Sequence, residues 1–291
     1  MTAAERAHRF RVDSPSAEPA YLALHRDGRL AARAAEARRS LEECRLCPRD
    51  CGARRTEGDV GTCGVAARAV VSSAFPHLGE EDCLRGTRGS GTVFFSGCSL
   101  RCAFCQNADI SWHPSGEECD TEDLAAIMLS LQEGGCHNVN LVTPTHVVPQ
   151  LLEALDRAAG QGLRLPLVYN TGGYDRVETL GLLDGVVDIY MPDLKFATAT
   201  SARRYAAAPD YAEVARAAVR EMHRQVGDLR FGPDGLAHRG LLVRHLVMPS
   251  MVEESEDLLE WLARDVSPDT WVNVMAQYHP AGRVGEPDGR G

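Results

Sequence analysis

Short β-branched runs alternate with stretches of helical period from about residue 91 onward. Six runs are typical of strands, at 92–96, 138–142, 165–170, 186–191, 241–248 and 271–275. The segments between them repeat apolar residues at helical spacing, as in TEDLAAIMLSLQ, where Asp120 or Thr121 is the predicted N-cap. Strand followed by helix six times predicts an α/β fold with a parallel sheet in one curved or barrel-like domain. Functional residues are expected where the strands end.

The rest of the chain divides by composition. Residues 1–43 are predicted to be an N-terminal arm, polar and Pro-containing up to about residue 20, followed by an Ala/Arg/Glu-rich helix. Residues 44–66 form a separate Cys-rich module, and residues 67–280 form the main domain. The tail 281–291, PAGRVGEPDGRG with its preceding proline, is rich in Gly, Pro and charge and is predicted to be disordered.

The module at 44–66 carries four cysteines, Cys44, Cys47, Cys51 and Cys63, among glycines and arginines. A segment so poor in large apolar residues cannot bury a core and needs a cross-link, which a metal supplies. Four cysteines can close a site completely. A structural zinc and an auxiliary [4Fe-4S] cluster both fit, and the spacing does not separate them.

Composition and charge indicate which classes of partner and which cellular compartment to expect. The 291 residues carry a net charge of -10, which gives no reason to expect nucleic acid. No apolar run is long enough to span a membrane and no secretory signal is visible at the N-terminus, so we expect no membrane partner and a cytoplasmic protein. Ten cysteines in a reducing compartment are metal ligands or thiols rather than disulfides. The scattered Cys83, Cys119 and Cys136 are interpreted as small semi-buried thiols.

Three further cysteines, Cys98, Cys102 and Cys105, follow the first predicted strand directly in TVFFSGCSLRCAFCQN. Three thiolates in one short loop can each bind one iron of a cubane cluster. An all-cysteine cubane needs four ligands, so one iron stays open to a group that is not protein. The alternative is a structural zinc loop that borrows a distant fourth ligand.

The stretch FFSGCSLRCAFCQN resembles the cluster loop of radical S-adenosylmethionine enzymes, and among them that of glycyl-radical-enzyme activases such as pyruvate formate-lyase activating enzyme. The resemblance to the PflX-like branch runs from about Cys44 to Tyr278, through HLGEED, GSGTVFFSGC, NLVTPTHVVPQ, VDIYMPDLK and RHLVMP. It implies a partial (βα)6 TIM-like barrel behind the four-cysteine module.

The resemblance also implies a chemistry. Cys98, Cys102 and Cys105 hold a [4Fe-4S] cluster whose open iron binds the amino and carboxylate groups of S-adenosylmethionine. One electron from the cluster cleaves the sulfonium, and the 5'-deoxyadenosyl radical then abstracts hydrogen from a substrate. In such an enzyme the protein supplies position and exclusion of water.

Cofactor contacts are implied at the strand ends. The activases usually carry a Gly-Gly-Glu type motif after strand two, and this sequence has none there. Thr143 and His146 are the polar residues available to replace it. For His146 the alternative is a loop histidine whose hydrogen bonds are satisfied within the protein. Asp193 and Lys195 match the Asp-x-Lys of the activases, although a surface ion pair also fits. The implied cofactor-binding residues are Phe104, Asn107, Thr143, His146, Asn170, Asp193, Lys195, Arg244, Gln277 and His279.

Two of these assignments have their own reasoning. Arg244 lies in an apolar strand, where a cation has to be paired or face a cavity, and by resemblance it contacts the carboxylate or ribose of the cofactor. The last strand ends in MAQYHP, similar to the histidine-bearing end of the last activase strand, so Gln277, Tyr278 and His279 are expected to border the adenine.

The leading prediction is a radical S-adenosylmethionine enzyme with flavodoxin or ferredoxin as its electron donor. Its substrate, a protein, peptide or small molecule, does not follow from the sequence, and activation of a glycyl radical enzyme is the closest analogy. One alternative is a radical enzyme that modifies a peptide or small molecule, although no cysteine follows Cys136 to build the C-terminal Cys-rich domain common in peptide maturases. The other is a non-catalytic iron–sulfur electron-transfer protein, which gives the strand-end polar residues no role.

Overall fold

The structure is a computed structural model that describes residues 18–286. Six parallel strands neighbour one another in chain order across its central sheet. They are β2 (Ser90–Phe95), β4 (Val139–Val142), β5 (Leu167–Thr171), β6 (Ile189–Pro192), β8 (Ala237–Leu246) and β9 (Trp271–Met275). Each overlaps one of the six predicted strands, so the mixed α/β class with a central sheet is confirmed.

Three further strands were not predicted and pair in the antiparallel sense. Strand β1 (Ala69–His77) lies between β2 and β3 (Glu117–Cys119), and β7 (Arg230–Phe231) pairs with β8. Strand β1 was not predicted because its second half, which includes Phe75, is exposed. This half therefore shows no alternation of apolar and polar residues. The other two strands are too short to produce a period.

Helices connect the strands near the predicted positions. The helix predicted over residues 20–43 is divided in two, because Gly28 adopts a left-handed conformation with φ of 70°. Asp120 is the N-cap of the helix after β3, where it accepts from the Asp123 amide at 3.0 Å in a capping box. The α-helices are α1 (Tyr21–Arg26), α2 (Arg29–Arg39), α3 (Asp82–Arg85), α4 (Ala108–Ser111), α5 (Thr121–Glu133), α6 (Val148–Gly160), α7 (Val177–Gly181), α8 (Ala199–Ala206), α9 (Tyr211–Val226) and α10 (Val252–Asp265).

Both faces of the parallel sheet are buried. Tyr169 and Tyr190 belong to the large core that the sheet shares with the helices, whereas their chain neighbours Val168 and Ile189 belong to a smaller core on the opposite face. Leu84 of α3 covers that smaller core. Successive strand residues point to opposite faces, so a strand buried on both is apolar without alternation, as the sequence of these strands is.

The sheet is open at one side. Strand β9 pairs with β8 and strand β3 with β1, and no ladder joins β9 to β1 or β3 within residues 18–286. The six parallel strands direct their carboxyl ends to one end of the sheet, where their loops gather. The predicted site residues come from these loops.

Residues 44–66 pack against the loops at that end. Arg55 is buried, and its guanidinium donates to the carbonyl oxygen of Ala66 at 3.0 Å and to that of His146 at 2.7 Å. A bridge between Cys44 and Ala53 closes the first turn of the module. The predicted separation of this module into its own domain remains a prediction.

The predicted terminal segments are described in part. The arm at residues 1–17 and the last residues, 287–291, lie outside the described residues. Residues 281–286, the start of the tail predicted to be disordered, form a turn in which the Arg283 amide donates to the Ala103 carbonyl at 2.7 Å. None of the described helices is both long enough and apolar enough to cross a membrane.

We expect Arg55→Lys to lower the free energy of unfolding by about 1.5–3 kcal/mol, because one ammonium cannot reach both carbonyls that the planar guanidinium serves. The matched control is Arg54→Lys, whose side chain is 60% exposed and pairs with Glu57, so its cost should stay below about 1 kcal/mol. Urea unfolding followed by circular dichroism measures both. Equal midpoints for the two variants would contradict this role of Arg55.

Candidate functional site

The loop after β2 carries Cys98, Cys102 and Cys105 and is fixed by backbone hydrogen bonds. The Gly97 amide donates to the Ile110 carbonyl at 2.8 Å, and the Ala103 amide donates to the Tyr205 carbonyl at 2.7 Å. Gly97 has a φ of 84°, a left-handed conformation that favours glycine. A Cβ at Gly97 would also lie 2.5 Å from the carbonyl oxygen of Cys63. Only glycine therefore lets the loop lie this close to the backbone of the module.

The three cysteines line one cavity of about 320 Å³. Burial raises the pKa of Cys98 to about 11 and that of Cys102 to about 12. The Leu100 amide donates to Cys98 Sγ at 3.3 Å, which gives this sulfur one polar partner. Lys195 lowers the pKa of both thiols, but burial outweighs it, so the free thiols stay protonated at neutral pH.

No group of three or more His, Cys, Asp or Glu side chains in residues 18–286 has the geometry of a preformed single-ion site. This holds for both cysteine groups. Cys98, Cys102 and Cys105 nevertheless line the same cavity.

Charged and polar groups from three strand ends face the same cavity. Arg244 of β8 donates through Nε to Asp193 Oδ1 at 3.0 Å and through Nη2 to Asn170 Oδ1 at 3.1 Å. Lys195 Nζ donates to the second oxygen of Asp193 at 2.5 Å. Asn170 is in β5, while Asp193 and Lys195 follow β6. These four residues were predicted from their positions at strand ends, and the structure brings them together.

Electrostatics fix the charges of this network. Burial alone would raise the pKa of Asp193, but Arg244 and Lys195 outweigh burial and lower it. Burial likewise opposes the charge of Lys195, and Asp193 outweighs that effect and raises the lysine pKa. Two cations and one anion thus stand at the cavity with one positive charge in excess. An anionic group of a ligand fits that excess.

Other predicted residues reach the cavity from its rim. Phe104, Asn107, Thr143 and Gln277 all line it. Thr143 has a φ of 59°, an uncommon backbone conformation for a residue that is not glycine. The loop after β4 is therefore bent where the predicted cofactor contact lies.

Two predicted contacts lie elsewhere. His146 is buried beneath the loop, where its Nε2 contacts the Ser96 carbonyl at 2.9 Å, and burial lowers its pKa to about 3. It fits the alternative of a loop histidine, because the 3-10 turn Thr145–Val147 directs it into the protein, although its buried Nδ1 has no partner among the described residues. His279 is exposed and does not line the cavity. Neither histidine is placed to touch a ligand there.

A carboxylate pair behind the cavity was missed. Glu80 lies 3.8 Å from Arg244 Nη1 and accepts from Asn140 Nδ2 at 2.6 Å. Glu81 accepts from Asn273 Nδ2 at 3.0 Å. The signal in the sequence was the acidic pair in HLGEED, which follows no predicted strand and therefore had no position in the predicted sheet.

The four cysteines at 44–63 lie within electrostatic reach of one another. Burial raises the pKa of Cys47 to about 12 and also raises that of Cys63, and neighbouring thiols of the group add to both shifts. Gly61 leaves space for Cys51, because a Cβ there would lie 2.5 Å from the Cys51 sulfur. The metal that this group binds remains a prediction.

Arginines tie the module to the cavity loop. Arg49 donates to the carbonyl oxygens of Ser99 at 2.6 Å and Ala207 at 2.7 Å. Arg101 of the loop donates in the other direction, to the Thr62 carbonyl. The two cysteine groups are thus neighbours in one rigid arrangement of hydrogen bonds.

Comparisons with known proteins place the chain in a family. No protein-family model matches the sequence. Among solved structures it is similar to the cobalamin-dependent S-adenosylmethionine radical enzyme OxsB with aqua-cobalamin bound, with a TM-score of 0.43 and 13% identity. That match covers 66% of this chain, which spans only 29% of OxsB. The uncharacterized protein MJ0674 of Methanocaldococcus jannaschii is 30% identical over 254 residues, covering 84% of this chain and 68% of MJ0674. The chain belongs to the family of MJ0674.

Proposed function

We propose that this protein is a radical S-adenosylmethionine enzyme. One observation carries the proposal: three cysteines and four strand-end polar residues surround the same cavity. They are Cys98, Cys102, Cys105, Asn170, Asp193, Lys195 and Arg244. These residues come from four separate segments of the chain, and thiols that face charged groups across a cavity suit a bound cofactor better than a closed structural ion.

The thiols fit a [4Fe-4S] cluster with one iron left free. Each cysteine of such a cluster binds a different iron, and Cys98, Cys102 and Cys105 all line the cavity. Buried Cys98 and Cys102 need a compensating positive charge to lose their protons, and iron supplies it. When bound, a cluster held by these three cysteines would supply the one electron that cleaves S-adenosylmethionine into methionine and a 5'-deoxyadenosyl radical.

The chain's own residues bind and orient the cofactor. Arg244 offers donors for a carboxylate or a ribose hydroxyl, and its hydrogen bonds to Asp193 and Asn170 fix the plane of the guanidinium. Thr143 is the polar group available where the activases carry their Gly-Gly-Glu motif. Phe104 and Asn107 bound the cavity near the cysteines, and Gln277 closes it from the side of β9.

Six parallel strands in chain order support a partial (βα)6 barrel as the scaffold. The strands carry the cavity residues at their carboxyl ends, and the sheet stays open between β9 and β1 in the residues described. For the module at 44–66 we propose an auxiliary [4Fe-4S] cluster on Cys44, Cys47, Cys51 and Cys63, with structural zinc as the alternative.

The electron donor is proposed to be a flavodoxin or a ferredoxin. For the substrate we propose hydrogen abstraction from a protein, peptide or small molecule, with activation of a glycyl radical enzyme as the closest analogy. A purely electron-carrying protein is less well supported, because it has no use for a charged cavity beside the three cysteines.

The cluster assignment has a direct test. Anaerobically reconstituted protein given dithionite and S-adenosylmethionine should release 5'-deoxyadenosine, and Cys98→Ala, Cys102→Ala and Cys105→Ala should each abolish the release because an iron loses its ligand. Cys136→Ala is the control, since this cysteine is buried away from the cavity. Chromatography of the reaction mixture quantifies the nucleoside. A fully loaded cluster that releases none would disprove the function.

Arg244→Lys should weaken binding of S-adenosylmethionine roughly 10- to 100-fold, because an ammonium cannot keep the fixed fork of hydrogen bonds. Arg239→Lys on the same strand is the control, since Arg239 donates to the Gln225 carbonyl and does not line the cavity. Equilibrium dialysis with labelled cofactor measures the affinity. If both variants bind like the parent protein, Arg244 is not a cofactor contact.

Metal analysis decides the second cysteine group. We expect the double variant Cys44→Ala/Cys47→Ala to lose about half of the iron, the amount that one of two equal clusters contributes. The release of 5'-deoxyadenosine reports separately on the other cluster. Elemental analysis of the purified protein makes the distinction: loss of zinc with iron unchanged would replace the auxiliary cluster by a structural zinc.

A further inference from the structure

Glu80 and Glu81 form a buried acidic pair next to Arg244. They lie in the loop from β1 to α3, where Glu80 accepts from Asn140 of β4 at 2.6 Å and Glu81 accepts from Asn273 of β9 at 3.0 Å. Strands β4 and β9 are not paired with each other. The two carboxyl groups therefore connect strands that are separated in the sheet by β5, β6 and β8.

The two residues are consecutive, and each carboxyl group shifts the pKa of the other. A hydrogen bond between two carboxyl groups requires a proton on one of them. The Glu80 side chain is only 8% exposed. Burial, reinforced by Glu81, raises the pKa of Glu80 to about 8. Glu81 Oε2 is buried without a partner among the described groups, and a proton on Glu80 provides one. Two carboxyl groups this close do not both ionise at neutral pH.

The pair acts on the cavity through Arg244. The guanidinium lies 3.8 Å from Glu80 on one side and 3.0 Å from Asp193 on the other, so it separates the pair from the cavity. The other titratable groups that face the pair are His77 of β1, at 4.0 Å from Glu80, and Cys83 of α3. Strands β4 and β9 contribute neutral asparagines.

We propose that Glu80 and Glu81 are positioning residues for Arg244, and that the one proton they share determines how strongly the cavity binds an anionic group. The proposal rests on the proposed function only for the identity of that group, the carboxylate of S-adenosylmethionine. It goes beyond that function because neither glutamate touches the cavity.

The charges of the site predict how loss of this proton changes the affinity for an anion. With one proton on the pair, its single negative charge offsets the positive excess of Arg244, Lys195 and Asp193, and the site is neutral. Loss of that proton makes the site negative by one charge and draws Arg244 toward the pair. An anion is then repelled and meets a less available guanidinium.

The pH dependence follows from linkage. The anion binds the protonated pair better, so its binding takes up a proton once the free pair has begun to ionise. Affinity should be constant below the pKa of about 8 and fall above it, by at most about tenfold per pH unit.

Glu81→Gln separates this role from a structural one. Glutamine keeps the acceptor for Asn273 and reverses the hydrogen bond within the pair, so that its amide donates to Glu80. Glu80 is then the pair's one ionisable carboxyl group and carries a single negative charge at neutral pH. This variant should bind as the parent protein does at pH 7 and keep that affinity to pH 9. Asp82→Asn is the control: it removes the next carboxylate, which is 91% exposed, and should keep the parent's pH profile.

Isothermal titration calorimetry of cluster-loaded protein with S-adenosylmethionine, in buffers of different ionisation enthalpy, measures affinity and proton uptake. The ligand's own titration cancels in the comparison between variants. Infrared spectra of the unliganded protein provide a second readout, a protonated carboxyl band near neutral pH that Glu81→Gln removes and Asp82→Asn keeps.

The outcomes distinguish the two proposals. Binding with proton uptake that Glu81→Gln abolishes supports the inference. Identical pH profiles for the parent and Glu81→Gln, or no protonated carboxyl band, would overturn it while leaving the proposed function intact. The carboxyl band without any binding of S-adenosylmethionine would overturn the proposed function, and with it the role of the pair toward this anion.

Discussion

The burial of the Arg244 charge is the constraint on which the cavity depends. A guanidinium inside a sheet is tolerated only where acceptors surround it. Asp193 and Asn170 supply them from neighbouring strand ends, and the Glu80 carboxyl group lies 3.8 Å from the guanidinium. These contacts fix the relative positions of three loops and leave Lys195 beside the same carboxylate. The cation thus determines the shape of the cavity as well as its charge.

The hydrophobic pattern of the sequence was sufficient to predict the parallel sheet. Strands buried on both faces are short continuous apolar runs, a pattern typical of such sheets. It was insufficient for β1, whose outer half is exposed, and for the bend at Thr143. The cavity residues followed from one rule, that polar groups at strand ends meet. His146 follows a strand end in the sequence, but its ring does not reach the cavity, because a one-turn helix directs it into the protein. Glu80 was not predicted as a site residue, because its loop has no hydrophobic periodicity and follows no predicted strand.

The module at 44–66 has little apolar core of its own. Leu41, Cys44 and Leu46 form a small cluster, and several of the other contacts are hydrogen bonds made by arginines. Arg49 and Arg55 donate to backbone carbonyls of the loops that border the cavity. Hydrogen bonds from a guanidinium to carbonyls are directional, so they transmit the position of one segment to another better than apolar contact does.

Gly97 brings the backbones of the two cysteine groups into contact. Its missing side chain lets the Cys63 carbonyl oxygen lie against the start of the loop that carries Cys98, and a Cβ at this position would lie 2.5 Å from that oxygen. Any larger residue at position 97 would push the two backbones apart. One substitution would therefore disturb both cysteine groups at once, although neither group would lose a cysteine.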